Sequence, residues 1–329
     1  MKKIALFTCI MILSVLNSWA QQEKQQQQYK YKFVVAKDGS GEYTTIQDAI
    51  NAMRVFPLKL ITLYIKNGIY NEKIELPTSN TDVTFIGESV DKTIITFDDY
   101  SGHGNTNTFT SYTARIRGND FKAENITFIN SAGPVGQGVA LHLESDRAVF
   151  KNCRFLGNQD TLYLGGENSR QYFVDCYIEG TTDFIFGPAT VLLKNCTIHS
   201  KKNSYITAAN TPEGISYGFV FINCKLTADT SATKVYLGRP WRDYAKTVFI
   251  KCDLGKHIVP EGWHNWSKPE AEKSSFYAEY QNKGPGSSTV NRALWSHQLT
   301  DKEAKEYTPQ KIFSRNRSSV LKESNWFNK

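Results

Sequence analysis

The chain has 329 residues, 40% of them hydrophobic, with 39 Lys and Arg against 32 Asp and Glu for a formal charge of +7 at pH 7. That length supports one large core rather than a disordered chain. The charge is slight and scattered; it is compatible with a polyanionic ligand but carries no nucleic-acid motif, and no nucleic-acid partner is expected.

The first element is "MKKIALFTCIMILSVLNSWAQ": two lysines, an apolar run, then Ser18-Trp19-Ala20. This order reads as a secretory signal over 1–20, cleaved after Ala20. The apolar run is short for a membrane span of ~20 residues, so no membrane anchor is expected. Cleavage removes two lysines and leaves +5. Residues 21–30, rich in glutamine, read as a polar disordered leader. The remainder, 31–329, reads as a single domain, secreted or periplasmic.

"YTTIQDAINAM" follows. Thr44 and Gln47 have capping-box spacing, and Ile46, Ala49, Ile50 and Met53 recur at helical period. A helix is expected over 45–54, covering one end of what comes next.

What comes next is a repeat. "KNCRF", "VDCYI", "KNCTI", "INCKL" and "IKCDL" place Cys153, Cys176, Cys196, Cys224 and Cys252 in like settings, at intervals of 23, 20, 28 and 28. "AENITF" is one more copy, with Ile126 in the cysteine position. Irregular periods in the twenties holding short alternating strands, without helical periodicity between them, indicate an all-β solenoid: a parallel β-helix with one repeat per rung and short capping helices. Stacked rungs lie ~4.8 Å apart. They would align the cysteines in an inward ladder and Asn125, Asn152, Asn195 and Asn223 in an amide ladder at the adjoining turn. Five is odd, and that stacking is wider than the ~3.8 Å between the Cβ atoms of a disulfide. Five free, buried thiols are therefore expected.

The same register aligns two acids. Asp160 is seven residues after Cys153, and Asp183 seven after Cys176. Stacked carboxylates repel unless one is protonated or a cation compensates, and such pairs mark reactive sites. Singly, each aspartate would be an ordinary turn residue. Gln159 precedes Asp160, and Gln137 lies one rung earlier; uncharged amide donors suit a developing oxyanion. Arg239 in "YLGRPW" offers the compensating cation. Tyr163, Phe186 and Trp241 offer flat faces for sugar rings, whereas Phe184 reads as core. Near the C-terminus Thr300 and Glu303 again have capping-box spacing, and a short helix there, with the segment through Phe313, is placed on the far end or side of the coil.

In order along the chain, "GSGEYTTIQDAI", "YIKNGIYNEKI", "NITFINSAGP", "GQGVALH", "GNQDTLY", "GTTDFIFG", "YLGRPW" and "PEGWHNW" resemble the pectin methylesterases, the pectinesterase family of carbohydrate esterases. The resemblance implies a right-handed parallel β-helix. It also implies hydrolysis of the C6 methyl esters of homogalacturonan pectin to pectate and methanol, through an aspartyl acyl-enzyme, by a monomer without metal or cofactor. Carried over by motif, Asp183 resembles the nucleophile and Asp160 the general acid/base. Gln137 and Gln159 resemble the oxyanion donors, and Arg239 the arginine that holds the nucleophile. Trp241 matches the substrate-stacking tryptophan; Thr108, Tyr163 and Phe186 match other substrate-contacting positions. His142 stands where many members have arginine, and Asn158 and Thr182 replace tyrosine and valine; these departures bear on fine specificity.

Two rivals remain at this stage. A β-helix glycosidase or lyase would also use nearby carboxylates, but the paired glutamines and the arginine favour acyl transfer, and a calcium-dependent lyase needs clustered acids. A non-enzymatic binding solenoid leaves the acid pair unexplained.

Overall fold

The computed structural model describes residues 29–166, 168–314 and 326–328. The signal over 1–20 and nearly all of the leader lie outside the described residues. Among them, the strands form three all-parallel sheets of eleven, eight and seven strands, and each full turn of the chain contributes one strand to each sheet. The fold is a right-handed parallel β-helix, the hand that parallel crossovers take.

Alternation within each short strand decides what faces inward. In the eleven-stranded sheet Phe150, Phe173, Leu193, Phe221 and Phe249 stand in register on successive rungs. Their rings stack face to face, Phe150 on Phe173 at 4.9 Å and Phe221 on Phe249 at 4.3 Å. In the eight-stranded sheet Phe128, Phe155, Ile178, Ile198 and Leu226 form a second inward row.

A single residue in left-handed backbone turns the chain from the eleven-stranded to the eight-stranded sheet. Asn125, Asn152, Asp175, Asn195, Asn223 and Lys251 fill that place with φ between 49° and 59°. Asn and Asp tolerate this conformation better than other side-chain-bearing residues. The cysteines follow at once, all five free and buried, with their thiols aimed at backbone carbonyls such as Ala123 and Phe150. The amide ladder is only partial. Asn152 Nδ2 donates to Asn125 Oδ1 at 2.7 Å, but Asn195 Nδ2 donates to the Asp175 carboxylate at 3.2 Å, because Asp175 interrupts the asparagine series.

The N-terminal helix runs Ile46–Asn51, and its N-cap is Thr45, not Thr44; the Thr45 hydroxyl accepts from Asp48 N–H. Gln47, expected in a capping box, instead ties the helix to the next rung, accepting from Glu75 N–H at 2.7 Å. The Glu72 carboxylate takes the free N–H groups of Ile46 and Gln47, as a helix N-terminus favours. Ile46, Ala49, Ile50 and Met53 join the core and close that end.

At the other end Thr300 and Glu303 do form a capping box, on a helix at Asp301–Ala304. The chain then packs on the side of the coil. Ile312, Phe313, Trp326 and Phe327 cover Val149, Tyr172, Leu192 and Val220, the outward row of the eleven-stranded sheet.

Candidate active site

The seven-stranded sheet carries the site on its outer face. Arg115, His142, Tyr163, Phe186, Ala208 and Arg239 form one row across six strands. Ala208 stands between Phe186 and Arg239, and its small side chain opens a hollow between two large ones. Gly238 sets Arg239 in place. A Cβ there would collide with the Thr207 side chain of the neighbouring strand, so strand spacing is kept only with glycine.

Asp160 and Asp183 sit two residues before the paired strands Leu162–Leu164 and Ile185–Gly187, at equivalent corners of adjacent rungs. Both adopt left-handed backbone, with φ 63° and 49°. Their N–H groups donate down the coil, Asp160 to Thr182 C=O at 3.1 Å and Asp183 to Tyr205 C=O at 2.8 Å. Gln137 and Gln159 are also stacked, bridged through their backbones. Among the described residues neither of their side-chain amides is engaged in a hydrogen bond, so both donors remain available at the cleft.

Both carboxyls are 6% exposed, yet their partners differ. Arg239 grips Asp183 with a two-point fork, Nε to Oδ1 at 3.0 Å and Nη2 to Oδ2 at 2.6 Å. Among the described residues Asp160 has no such partner. Burial, reinforced by the nearby Asp183 charge, pushes the Asp160 carboxyl up to about 8. Arg239, the compensating cation, acts to lower the Asp183 carboxyl. The net direction is upward instead, because burial outweighs the opposing arginine. The pair is still unequal: the arginine fork opposes burial at Asp183, whereas the Asp160 carboxyl is raised to about 8.

A cleft of ≈ 250 Å³ opens over these groups. Eight of the nine side chains singled out from sequence line it: Thr108, Gln137, Gln159, Asp160, Asp183, Phe186, Arg239 and Trp241. Tyr163 lies one ring behind, 5.1 Å from both Phe186 and Phe109 and 4.6 Å from His142. His142 is itself buried, with Nε2 3.1 Å from the Glu144 carboxylate, and its ring packs edge-on against Tyr163 from the neighbouring strand. Phe109, Ala208 and Trp266 line the cleft without having been singled out. Trp266 lies within the quoted motif "PEGWHNW", and Phe109 follows Thr108 directly; Ala208 has no chemical signal, and only strand register reveals it. Among the described residues no three His, Cys, Asp or Glu side chains converge as a cation site.

A family model described as Pectinesterase matches residues 32–316. The chain belongs to the pectinesterase family. It is 44% identical over 281 residues to Pectinesterase 2 of Citrus sinensis, covering 81% of this chain and 54% of that one. It spans about half the length of the first curated relatives it matches. Among solved structures it resembles a pectin methylesterase from carrot, with TM-score 0.81, 35% identity, and 85% of this chain and 92% of that one covered. A pectin methylesterase in complex with a hexasaccharide aligns with TM-score 0.76 at 30% identity, covering 89% and 99%.

Proposed function

We propose that this pectinesterase-family chain is a pectin methylesterase that hydrolyses the C6 methyl esters of homogalacturonan through an acyl-enzyme on Asp183. The observation that carries the reading is the asymmetric acid pair: one aspartate gripped by a two-point arginine, its stacked neighbour without that grip and raised by burial, and two unengaged amides beside them.

An ionised Asp183 oxygen attacks the ester carbonyl carbon and the carbonyl oxygen becomes negative. Gln137 and Gln159 donate to that oxygen; preorganised donors in a water-poor cleft are worth most where charge develops. The C6–O bond to the methoxy group breaks as Asp160 gives it a proton, and methanol leaves. The mixed anhydride remains. Asp160, now a carboxylate, takes a proton from water, whose oxygen attacks the galacturonyl carbon. Collapse restores ionised Asp183 and protonated Asp160 and leaves a free acid on the polymer, which loses its proton to solvent.

The sign of the developing charge separates this from glycoside cleavage. A glycosyl transfer passes through an oxocarbenium-like state, which a guanidinium on the nucleophile would oppose. An ester addition builds negative charge, which arginine and amides stabilise. Phe186, Trp241 and the Thr108 segment offer apolar faces and a hydroxyl to the sugar rings. The aligned hexasaccharide complex supports a carbohydrate chain in this cleft. A protein acting on that polymer is placed outside the cytoplasm, secreted or periplasmic, in keeping with the N-terminal signal pattern.

The test is which bond breaks. Purified protein with highly methylated pectin, a chelator present, is expected to release methanol and protons. No new reducing ends and no unsaturated-uronate absorbance should appear. Reducing ends without methanol would overturn the esterase reading in favour of a glycosidase; the unsaturated chromophore would point to a lyase.

A further inference from the structure

We propose that Tyr205 and Trp266 are positioning residues: they clamp the Arg239 guanidinium between two aromatic faces and hold its fork in the plane of the Asp183 carboxylate. The proposal rests on the reading of Asp183 as nucleophile.

Arg239 Cζ lies 3.9 Å from the Tyr205 ring centroid and 3.6 Å from that of Trp266. A planar guanidinium has two faces, and two rings this close to one carbon occupy both. The attraction of a cation to a ring face fixes the plane of the group, while its two hydrogen bonds fix its position along the carboxylate edge. Without the rings, a long flexible side chain keeps the freedom to twist or swing off one oxygen.

Tyr205 acts on both members of the pair. Its carbonyl accepts the Asp183 N–H at 2.8 Å, and its ring supports the arginine that grips the Asp183 side chain. The ring is braced by Tyr236, 5.3 Å away and nearly parallel, and by His264 at 5.3 Å. The Tyr205 side chain is not among those lining the cleft, so the effect of its ring on the reaction passes through Arg239.

Trp266 reaches the other face at a conformational cost. Its φ is 58° and that of Ser267 is 56°, a left-handed pair without glycine, and a bulky residue there is an outlier. Such strain persists only where the surroundings over-determine it and often marks a functional position. Here the Trp266 N–H donates to His264 Nδ1 at 2.9 Å. Lys268 Nζ lies 4.9 Å from the Trp266 ring centroid and donates to Trp241 C=O at 3.0 Å. One short loop thus ties the arginine clamp to the residue after "GRP".

The charged groups facing Asp183 are Arg239 and Asp160. Loosening the clamp weakens the one that favours its ionised form, so the acid limb of kcat/KM moves to higher pH.

The experiment compares Tyr205→Leu and Trp266→Leu with Tyr205→Phe and Trp266→Phe, by methanol release across pH. Tyr205→Leu is expected to lower kcat about 10-fold or more, as small misplacements of reacting groups do. KM should stay within about twofold, and the acid limb should rise by about half a pH unit or more. Tyr205→Phe restores all three. Trp266→Leu shifts the same limb, with KM raised as well because the ring lines the cleft. In an Arg239→Lys background, which has no planar fork to clamp, Tyr205→Leu should change kcat by less than about twofold, since residues acting through one another are non-additive. An unmoved acid limb in both leucine variants, or full additivity with Arg239→Lys, overturns the clamp. If Tyr205→Leu fails to fold, Trp266→Leu, in a surface loop, decides alone by the same limb. Asp183→Asn run in parallel separates the two readings. If it still releases methanol, the nucleophile assignment fails; if it is inactive while the clamp variants behave as wild type, only the clamp fails.

Discussion

Two corners of the coil use the same backbone device for opposite ends. At one, Asn125, Asn152, Asp175 and Asn195 stack in left-handed backbone on successive rungs, and their side chains bond in pairs, Asn152 to Asn125 and Asn195 to Asp175. At the other, Asp160 and Asp183 stack in the same conformation, but like-charged groups cannot satisfy each other. The members of the first ladder partner each other two by two. In the second, Arg239 takes one member and burial raises the other. The reactive site is therefore a structural motif of the fold with its self-complementarity removed, and chemistry enters where the stacking rule is broken.

The largest effect comes from the second ladder. Asp183→Asn keeps a residue that tolerates φ 49° and removes the attacking oxygen. Methanol release should fall by about 10⁴-fold or more, as for loss of other nucleophiles, with the circular dichroism spectrum unchanged. Activity within tenfold of wild type would dissolve the contrast between the corners. Next comes the oxyanion side. Gln159→Ala should lower kcat by roughly 10²–10³ while KM moves little, the usual worth of one preorganised donor. Near-normal kcat would take Gln159 out of the oxyanion hole.

Both ladders were legible in sequence for one reason: stacking turns sequence intervals into spatial neighbours. The shared offset of seven from Cys153 to Asp160 and from Cys176 to Asp183 survives as strand register. What sequence hid is what register alone decides. Ala208 matters by being small at one point of a row. Tyr205 and Trp266 meet Arg239 from a neighbouring strand and a later loop, which no local spacing reports. The asparagines were legible as a ladder, but the left-handed turn that selects them was not, nor that Asp175 would accept from Asn195. The N-cap fell to Thr45 because Gln47 had a stronger long-range partner in Glu75.

A pH comparison sharpens the difference in protonation. The Asp160 carboxyl is raised from 3.8 to about 8. Between those values the folded protein keeps a proton that the unfolded chain gives up, so this group's contribution to stability is present at low pH and is lost as pH rises through that window. Asp160→Asn removes the loss. The variant should be more stable than wild type at pH 7 by up to ~4 kcal/mol in urea melts, with the gain gone near pH 3. Its residual activity should lack the basic limb, which in wild type should fall near pH 8. A gain in stability that does not depend on pH would mean that Asp160 is ionised in the native state, and the acid role would go with it.

The smallest effect belongs to the first ladder. Asn152 is exposed, holds φ 49° and donates to Asn125 at 2.7 Å. Asn152→Ala loses that bond and places an unsuitable Cβ in left-handed backbone, a cost of ~1–2 kcal/mol. Asn152→Gly loses the same bond but relaxes the backbone, so it should cost less than the alanine variant in the same urea melt. Neither change should alter kcat or KM, because the corner lies between the eleven- and eight-stranded sheets, away from the cleft on the seven-stranded sheet, and none of its side chains lines that cleft. Equal destabilisation by alanine and glycine would assign the cost to the amide rather than the turn. A fall in kcat in either variant would mean that the two ladders are mechanically coupled through the rung they share, and that the first helps to hold the second in register.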